Sequence, residues 1–222
     1  MKLKKKFYEE TGMYIDWDQL KNLPKIDTLI DIGVGENGTE VLYNHFNSQK
    51  LILIDPLDES EFFVNNNFSN RDVSFIKKAL GSNKEKKIIN VESKVNRSTF
   101  LEVTDINFEN SIDSKREVQV DTLDNVLKEF DQLGNIGIKI DTEGYEFNVI
   151  LGAEDTLKKT KFVIAEVRHN HQSYKEMYKL HEFISLMHDN GFLLTIIFTA
   201  KPFIADLCFC QKKDLENNKN NI

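Results

Sequence analysis

Residues 29–41 read LIDIGVGENGTEV, and this stretch decides the fold. An apolar run ends in Asp31, and a glycine-rich turn follows with Gly33, Gly35 and Gly38. The spacing G-V-G-E-N-G matches the G-x-G-x-x-G pattern that joins a strand to a helix in nucleotide-binding sheets. Glycine at these positions removes the side chain that would hold a ligand away from the backbone. The helix behind such a loop directs unpaired N–H groups at a negative group. In a dinucleotide site that group is a pyrophosphate, and in an S-adenosylmethionine site it can be the methionine carboxylate. Asp31 tilts the choice, because an anion beside the loop suits a ligand with an ammonium group.

Outward from the loop, apolar strand runs alternate with amphipathic helical runs, the pattern of an α/β domain. Strands are expected at 27–33, 50–56, 73–80, 135–141 and 161–167, with an extra hairpin at 86–92 and 117–123, and closing strands at 192–198 and 206–212. Several are near-continuous Ile, Leu and Val, as strands covered on both faces are. Helices are expected at 39–47, 122–132, 145–158 and 173–190. The last two strands are separated by a short segment with Pro202, too short for a crossover, so they should pair antiparallel. The expected product is a doubly wound, mostly parallel seven-stranded sheet, Rossmann-like, with an antiparallel strand near one edge and an extra β-hairpin. A helical segment over 1–26 should precede a domain at 27–213, and a polar tail should follow over 214–222.

Ligands of such sheets bind beyond the carboxyl ends of the strands. Asp31, Asp55, Asp141 and Glu166 all fall at such ends. Asp55 closes the second strand in LILIDP, where a carboxylate accepts hydrogen bonds from ribose hydroxyls. Asp141 and Glu143 leave the fourth strand together in KIDTEGYE, and nothing in hydride transfer demands that pair.

The chain has 222 residues, 40% hydrophobic and 29% charged, with a net charge of −7. That balance suits a globular domain and speaks against non-specific nucleic-acid binding, whose affinity comes from Lys and Arg on phosphates. The basic start MKLKKKFYEE has no apolar stretch behind it, so it reads as no secretion signal. No run approaches the roughly 20 apolar residues of a membrane span. Cys208 and Cys210 alternate in one strand, which fits packing better than a disulfide or zinc framework. A cytoplasmic setting is expected, and a homo-oligomer is compatible with the composition.

At this point the sequence resembles the FkbM-type family of S-adenosylmethionine-dependent methyltransferases. The strongest likeness is VDTLDNVLKEFDQLGNIGIKIDTEGYEFNVILGAEDTLKKTKFVIAEV, residues 120–167. It carries a V-x-x-L-D segment, a K-x-D-x-E-G-x-E core and the L-x-G-A that follows. LIDIGVGENGT is similar to the family's D-x-G loop, LILIDP to its strand ending in an acid and Pro, and KKALGSNKEKKIINVES to its A-L-G turn. The glycine spacing and the Asp in place of Glu before Pro56 are departures.

The resemblance implies methyl transfer, usually to a hydroxyl oxygen of a sugar or other small-molecule acceptor. It implies S-adenosylmethionine as cofactor, held by Asp31, Gly33, Gly35, Gly38, Asp55 and Ala79. A hydroxyl acceptor must lose a proton, so Asp141, Glu143 and His169 are the catalytic candidates. Arg97 and Ser98, in the long polar stretch 93–115, and Glu166 are the acceptor candidates. A divalent cation such as magnesium on Asp141, Glu143 and Glu166 is an alternative use of the same acids. Two other readings of the loop stay open, a dinucleotide-dependent oxidoreductase and a non-catalytic cofactor-binding protein.

Overall fold

The computed structural model describes residues 13–47, 49–68, 71–93, 95–104, 112–169 and 174–219. The main sheet follows from strands that are apolar on both sides. β2 (Thr28–Ile32), β3 (Lys50–Ile54), β4 (Val73–Ile76), β8 (Ile136–Ile140) and β9 (Thr160–Arg168) run parallel. Alternate side chains go to opposite faces. Ile30, Ile32, Ile52, Ile54, Ile138 and Ile140 build one core with Leu123, Val149 and Phe183. Leu29, Leu51, Leu53, Phe162 and Ile164 build the other with Leu42, Tyr43 and Val64. Helices therefore cover both faces, as the continuous apolar runs require.

The sheet order is β1-β10-β11-β9-β8-β2-β3-β4, where β1 is Tyr14–Ile15, β10 Phe192–Ala200 and β11 Ile204–Gln211. β11 runs antiparallel to both β9 and β10, as the short connection through Pro202 demands. Among the described residues the sheet has eight strands rather than the expected seven, because the two-residue β1 is too short to show a period in the sequence. The direction of winding reverses between β2 and β8, which sets the switch point where ligands of such sheets bind.

A second sheet of three strands stands apart, in the order β5-β7-β6, with β5 at Ala79–Leu80, β6 at Glu85–Glu92 and β7 at Ile112–Asp121. The single strand expected at 73–80 is thus divided. Lys77 and Lys78 turn the chain between its halves: Lys77 pairs with Asp58 and Glu61, and Lys78 with Asp121.

Among the described residues the α-helices are α1 (Glu40–His45), α2 (Asp58–Asn67), α3 (Leu123–Val126), α4 (Glu146–Leu151), α5 (Glu154–Leu157), α6 (Leu180–Asp189) and α7 (Lys212–Lys219). Four differ from expectation. The helix expected over 122–132 is only α3, continued by a 3-10 turn over Leu127–Glu129. The helix expected over 145–158 breaks at Gly152, where an added Cβ would lie 2.1 Å from the Gly81 carbonyl oxygen. The helix expected over 173–190 begins only at Leu180, because Tyr174 pairs with Val103 as an isolated bridge. α2, whose sequence is polar, gave no apolar period to read. At the N-terminus, Trp17–Asn22 is a 3-10 turn, and Trp17 stacks on Phe198 at 4.8 Å. Residues 1–12 of the expected helical segment lie outside the described residues. The expected polar tail starts as α7, tied down by Asp214 on Lys161 at 3.0 Å. Among the described residues no helix is long and apolar enough to cross a membrane.

Candidate active site

A cleft of about 250 Å³, partly open to solvent, lies at the switch point. It runs from the loop after β2 to the turn after β8, so residues distant in sequence share one wall. Gly33, Gly35, Gly38, Asp55, Ala79, Ser98, Asp141 and Glu143 all line it.

Each glycine of the loop has a local reason. Gly33 has φ +85°, and an added Cβ would lie 1.7 Å from the Asp141 carbonyl oxygen. The loop after β2 and the strand end after β8 can therefore touch only through glycine. Gly35 has φ +58° and would meet Asn96 Oδ1 at 2.3 Å; Gly38 has φ +57° and would meet the Tyr43 hydroxyl at 2.5 Å. All three sit in the left-handed region that side chains disfavour.

Asp55 anchors the loop from β3. Its Oδ2 accepts the Gly35 N–H at 3.0 Å and its Oδ1 the Leu57 N–H at 2.9 Å. Burial raises its carboxyl, and these amides pull it back down. Each carboxylate oxygen keeps a further lone pair for a ligand hydroxyl.

Asp31 lies elsewhere than expected. It is fully buried, does not line the cleft, and accepts a hydrogen bond from the Tyr43 hydroxyl. Its Oδ1 has no hydrogen-bond partner among the described residues. Burial raises its carboxyl to about 6, against the pull of Lys139 and Tyr43. Its place is behind the loop, with the Tyr43 ring between it and Gly38.

At the other end of the cleft, Asp141 and Glu143 bring carboxylate oxygens within 4.8 Å of one another and of Glu166, which does not itself line the cleft. Two of the three are matched by cations. Glu143 Oε2 accepts from Arg168 Nη2 and Nε and from the Tyr174 hydroxyl at 2.9 Å. Lys139 lies 3.4 Å from Asp141 and 3.5 Å from Asp206. Burial alone would lower the Lys139 ammonium; the carboxylates of Asp141, Asp206, Glu166 and Asp31 overcome that and raise it. Burial also raises the Glu143 carboxyl, opposed by Arg168. Burial and then the charge of Asp141 push Glu166 up to about 8. Like charges sharing a dry site behave this way.

The turn 142–144 that presents these groups is held by Glu146. Its Oε1 accepts the Thr142 N–H at 2.9 Å, the Thr142 hydroxyl at 3.1 Å and the Gly144 N–H at 3.1 Å. Its Oε2 accepts the Tyr178 hydroxyl at 2.7 Å. Glu143 itself sits at φ +51°. A non-glycine residue there costs on the order of 1–3 kcal/mol and persists only where its surroundings fix it. The Thr99 hydroxyl adds a bond to the Glu143 carbonyl at 2.8 Å.

Two expected site residues fall outside this constellation. His169 is exposed, and its Nε2 lies 3.1 Å from the Lys201 carbonyl oxygen. β9 ends one residue earlier, so the chain carries His169 to the hairpin at Lys201 and away from the carboxylates. Arg97 pairs with Glu92 at 3.4 Å and does not line the cleft. His171 and residues 105–111 of the long polar stretch lie outside the described residues. The supporting groups that sequence reasoning missed are Tyr43, Glu146, Arg168, Tyr174, Tyr178 and Asp206. Glu146 was visible as the last acid of KIDTEGYE; the others carry no local signal.

The FkbM methyltransferase domain family matches residues 31–194, which span both ends of the cleft. The chain belongs to the FkbM methyltransferase family. No curated protein matches the sequence. Among solved structures, the chain is similar to precorrin-6y C5,15-methyltransferase from Geobacter metallireducens, with 9% identity and a TM-score of 0.48, over 88% of this chain and 85% of that one. It is also similar to the ribosomal protein L11 methylase from Lactobacillus delbrueckii subsp. bulgaricus, with 13% identity and a TM-score of 0.47, over 86% of this chain and 74% of that one.

Proposed function

We propose that this FkbM-family methyltransferase moves a methyl group from S-adenosylmethionine to a hydroxyl oxygen of a sugar or other small-molecule acceptor. The carrying observation is one continuous cleft, lined at one end by Gly33, Gly35, Gly38 and Asp55 and at the other by Asp141 and Glu143. The residues fit the cofactor: the three glycines line the cleft with bare backbone, and Asp55 offers lone pairs to a ribose. When bound, the cofactor supplies a methyl group already activated on a sulfonium.

What the chain must add is alignment and a proton acceptor. Alignment of an acceptor oxygen can lower a barrier by about 7–11 kcal/mol. Glu143, fixed by Arg168 and Tyr174, is rigid enough to orient an acceptor hydroxyl. Asp141, half exposed to the cleft beside Lys139, takes the proton. Glu166 lies close enough to hold a second acceptor hydroxyl. His169, exposed on Lys201, has no part in this scheme. A divalent cation is left out of it, because Arg168 and Lys139 already face two of the three carboxylates.

The test is methyl transfer from methyl-labelled S-adenosylmethionine to a panel of free sugars, nucleotide sugars and small phenols. With the acceptor that reports turnover, Asp141→Asn should lower kcat by about 100-fold or more, the scale of a lost general base. Its affinity for S-adenosylhomocysteine should stay within about twofold of wild type, since nothing assigns Asp141 to cofactor binding. Unchanged turnover in Asp141→Asn would remove the role given to Asp141. A panel without any labelled product would count against a hydroxyl acceptor of these classes.

A further inference from the structure

Resting on the proposed methyl donor, one residue of the cleft has no role so far. Asn96 lies on the segment 95–100 that follows β6 and lines the roof of the cleft with Val95, Ser98 and Phe100. Its Oδ1 accepts the Glu36 N–H at 2.9 Å. The preceding amide, Gly35 N–H, goes to Asp55 Oδ2 at 3.0 Å. Two consecutive amides of the glycine-rich loop are thus held by two different side chains, one from β3 and one from the roof. Asn96 Oδ1 also accounts for the missing side chain at Gly35, whose Cβ it would meet at 2.3 Å.

The oxygen of Asn96 is fixed by an N–H donor, so the amide orientation is determined and the Nδ2 is the free end. Among the described residues this NH2 donates to nothing, and Asn96 is exposed and lines the cleft. Val95, beside it, is buried and held at φ +42°, a rare conformation for a β-branched residue. Chemistry says what such a donor would meet. A ribose hydroxyl both donates and accepts, whereas a carboxylate only accepts. Asp55 can take the protons of a vicinal diol but leaves its oxygen lone pairs without a donor. Lys78, the cation among the residues lining the cleft, is paired with Asp121 at 3.1 Å.

We propose that Asn96 is the second half of the ribose site: its amide NH2 donates to the diol whose hydroxyls Asp55 accepts, while its oxygen holds the loop in place. The roof segment is then part of the cofactor site rather than an acceptor loop, in contrast to the role expected for its neighbours Arg97 and Ser98.

Calorimetry of the full chain with S-adenosylhomocysteine, and with the analogue lacking both ribose hydroxyls, tests this. Asn96→Asp keeps an acceptor for the Glu36 N–H but removes the donor. Asn96→Ala removes both. The proposal expects Asn96→Asp and Asn96→Ala each to weaken S-adenosylhomocysteine by about tenfold, the scale of one hydrogen bond. It also expects the penalty for removing the diol to shrink in Asn96→Ala, as coupled partners require. Wild-type affinity in Asn96→Asp would overturn it, leaving Asn96 as a loop support only. Equal weakening of both ligands in Asn96→Ala would overturn it as well. A wild-type chain that binds neither ligand would instead defeat the methyl-donor reading beneath it. Thermal melting of both variants checks folding, which substitution of an exposed side chain should leave near wild type.

Discussion

The two ends of the cleft are built by opposite means. The loop after β2 is shaped by the absence of side chains: Gly33, Gly35 and Gly38 make room for Asp141 O, Asn96 Oδ1 and the Tyr43 ring. The turn after β8 is shaped by side chains that grip it. Glu146 takes two backbone N–H groups and a hydroxyl, and Arg168 and Tyr174 close on Glu143. The first end leaves backbone free for a ligand to approach. The second holds charged groups in one place, where alignment of an acceptor needs them. The contrast suits a cofactor that binds by its backbone-facing groups and a reaction that depends on geometry.

Breaking the first end should cost most. Gly33→Ala forces a Cβ into the Asp141 carbonyl at φ +85°, where neither wall is a flexible side chain. A loss on the order of 4–5 kcal/mol is expected, the range reserved for core clashes. Chemical denaturation measures it, and a loss below about 1 kcal/mol would mean that the two loops move apart easily. The second end should give way next. Glu146→Ala strands two N–H groups and the Tyr178 hydroxyl, at about 3 kcal/mol in total if a single buried loss runs about 1–3 kcal/mol. Glu146→Gln keeps the accepting oxygen on the turn and should restore most of that stability. If Gln proved as damaging as Ala, the charge rather than the acceptor geometry would hold the turn.

A smaller effect separates Asp31 from the cleft. Its carboxyl is raised from 3.8 to about 6, so the folded state holds the proton more tightly than the unfolded chain. Stability from this group is full below the unfolded value and falls as pH rises through about 6. Asp31→Asn should abolish that fall, which amounts to about 3 kcal/mol for a carboxyl raised from 3.8 to about 6. Denaturation of both proteins between about pH 4 and pH 8 gives the difference, and parallel curves would show that Asp31 titrates normally. The smallest effect is a control. Gly191, at φ +83° with nothing near its Cβ position, should lose only about 1 kcal/mol as Ala, from backbone strain alone. A cost matching that of Gly33→Ala would show that strain, not contact, explains both glycines.

The same contrast explains what could be read from the sequence. The glycine end was legible because its signal is local: three glycines within six residues, after an apolar run. Asp55 and Asp141 are legible because a continuous apolar run stops at an acid, and Glu166 because an acid interrupts the apolar run of β9. Glu146 is legible only as the last acid of KIDTEGYE, because accepting from a turn two to four residues away leaves no mark in the motif. Tyr174 and Tyr178 are four residues apart within the helix expected over 173–190, yet one bonds Glu143 and the other Glu146 from a non-helical approach to α6. His169 looked functional from its type and its nearness to Glu166 in sequence. The end of β9 and the hairpin at Lys201 decide against it, and neither leaves a mark in the residues themselves. Asp31 stands at the expected strand end, and only packing shows that Tyr43 covers its carboxylate.

Isothermal titration of the full chain with S-adenosylhomocysteine, set against NADH and NADPH, tests the central claim most directly. Saturable micromolar binding of S-adenosylhomocysteine, with no heat from either nicotinamide, is the predicted result. Micromolar binding of a nicotinamide with none of S-adenosylhomocysteine would contradict it.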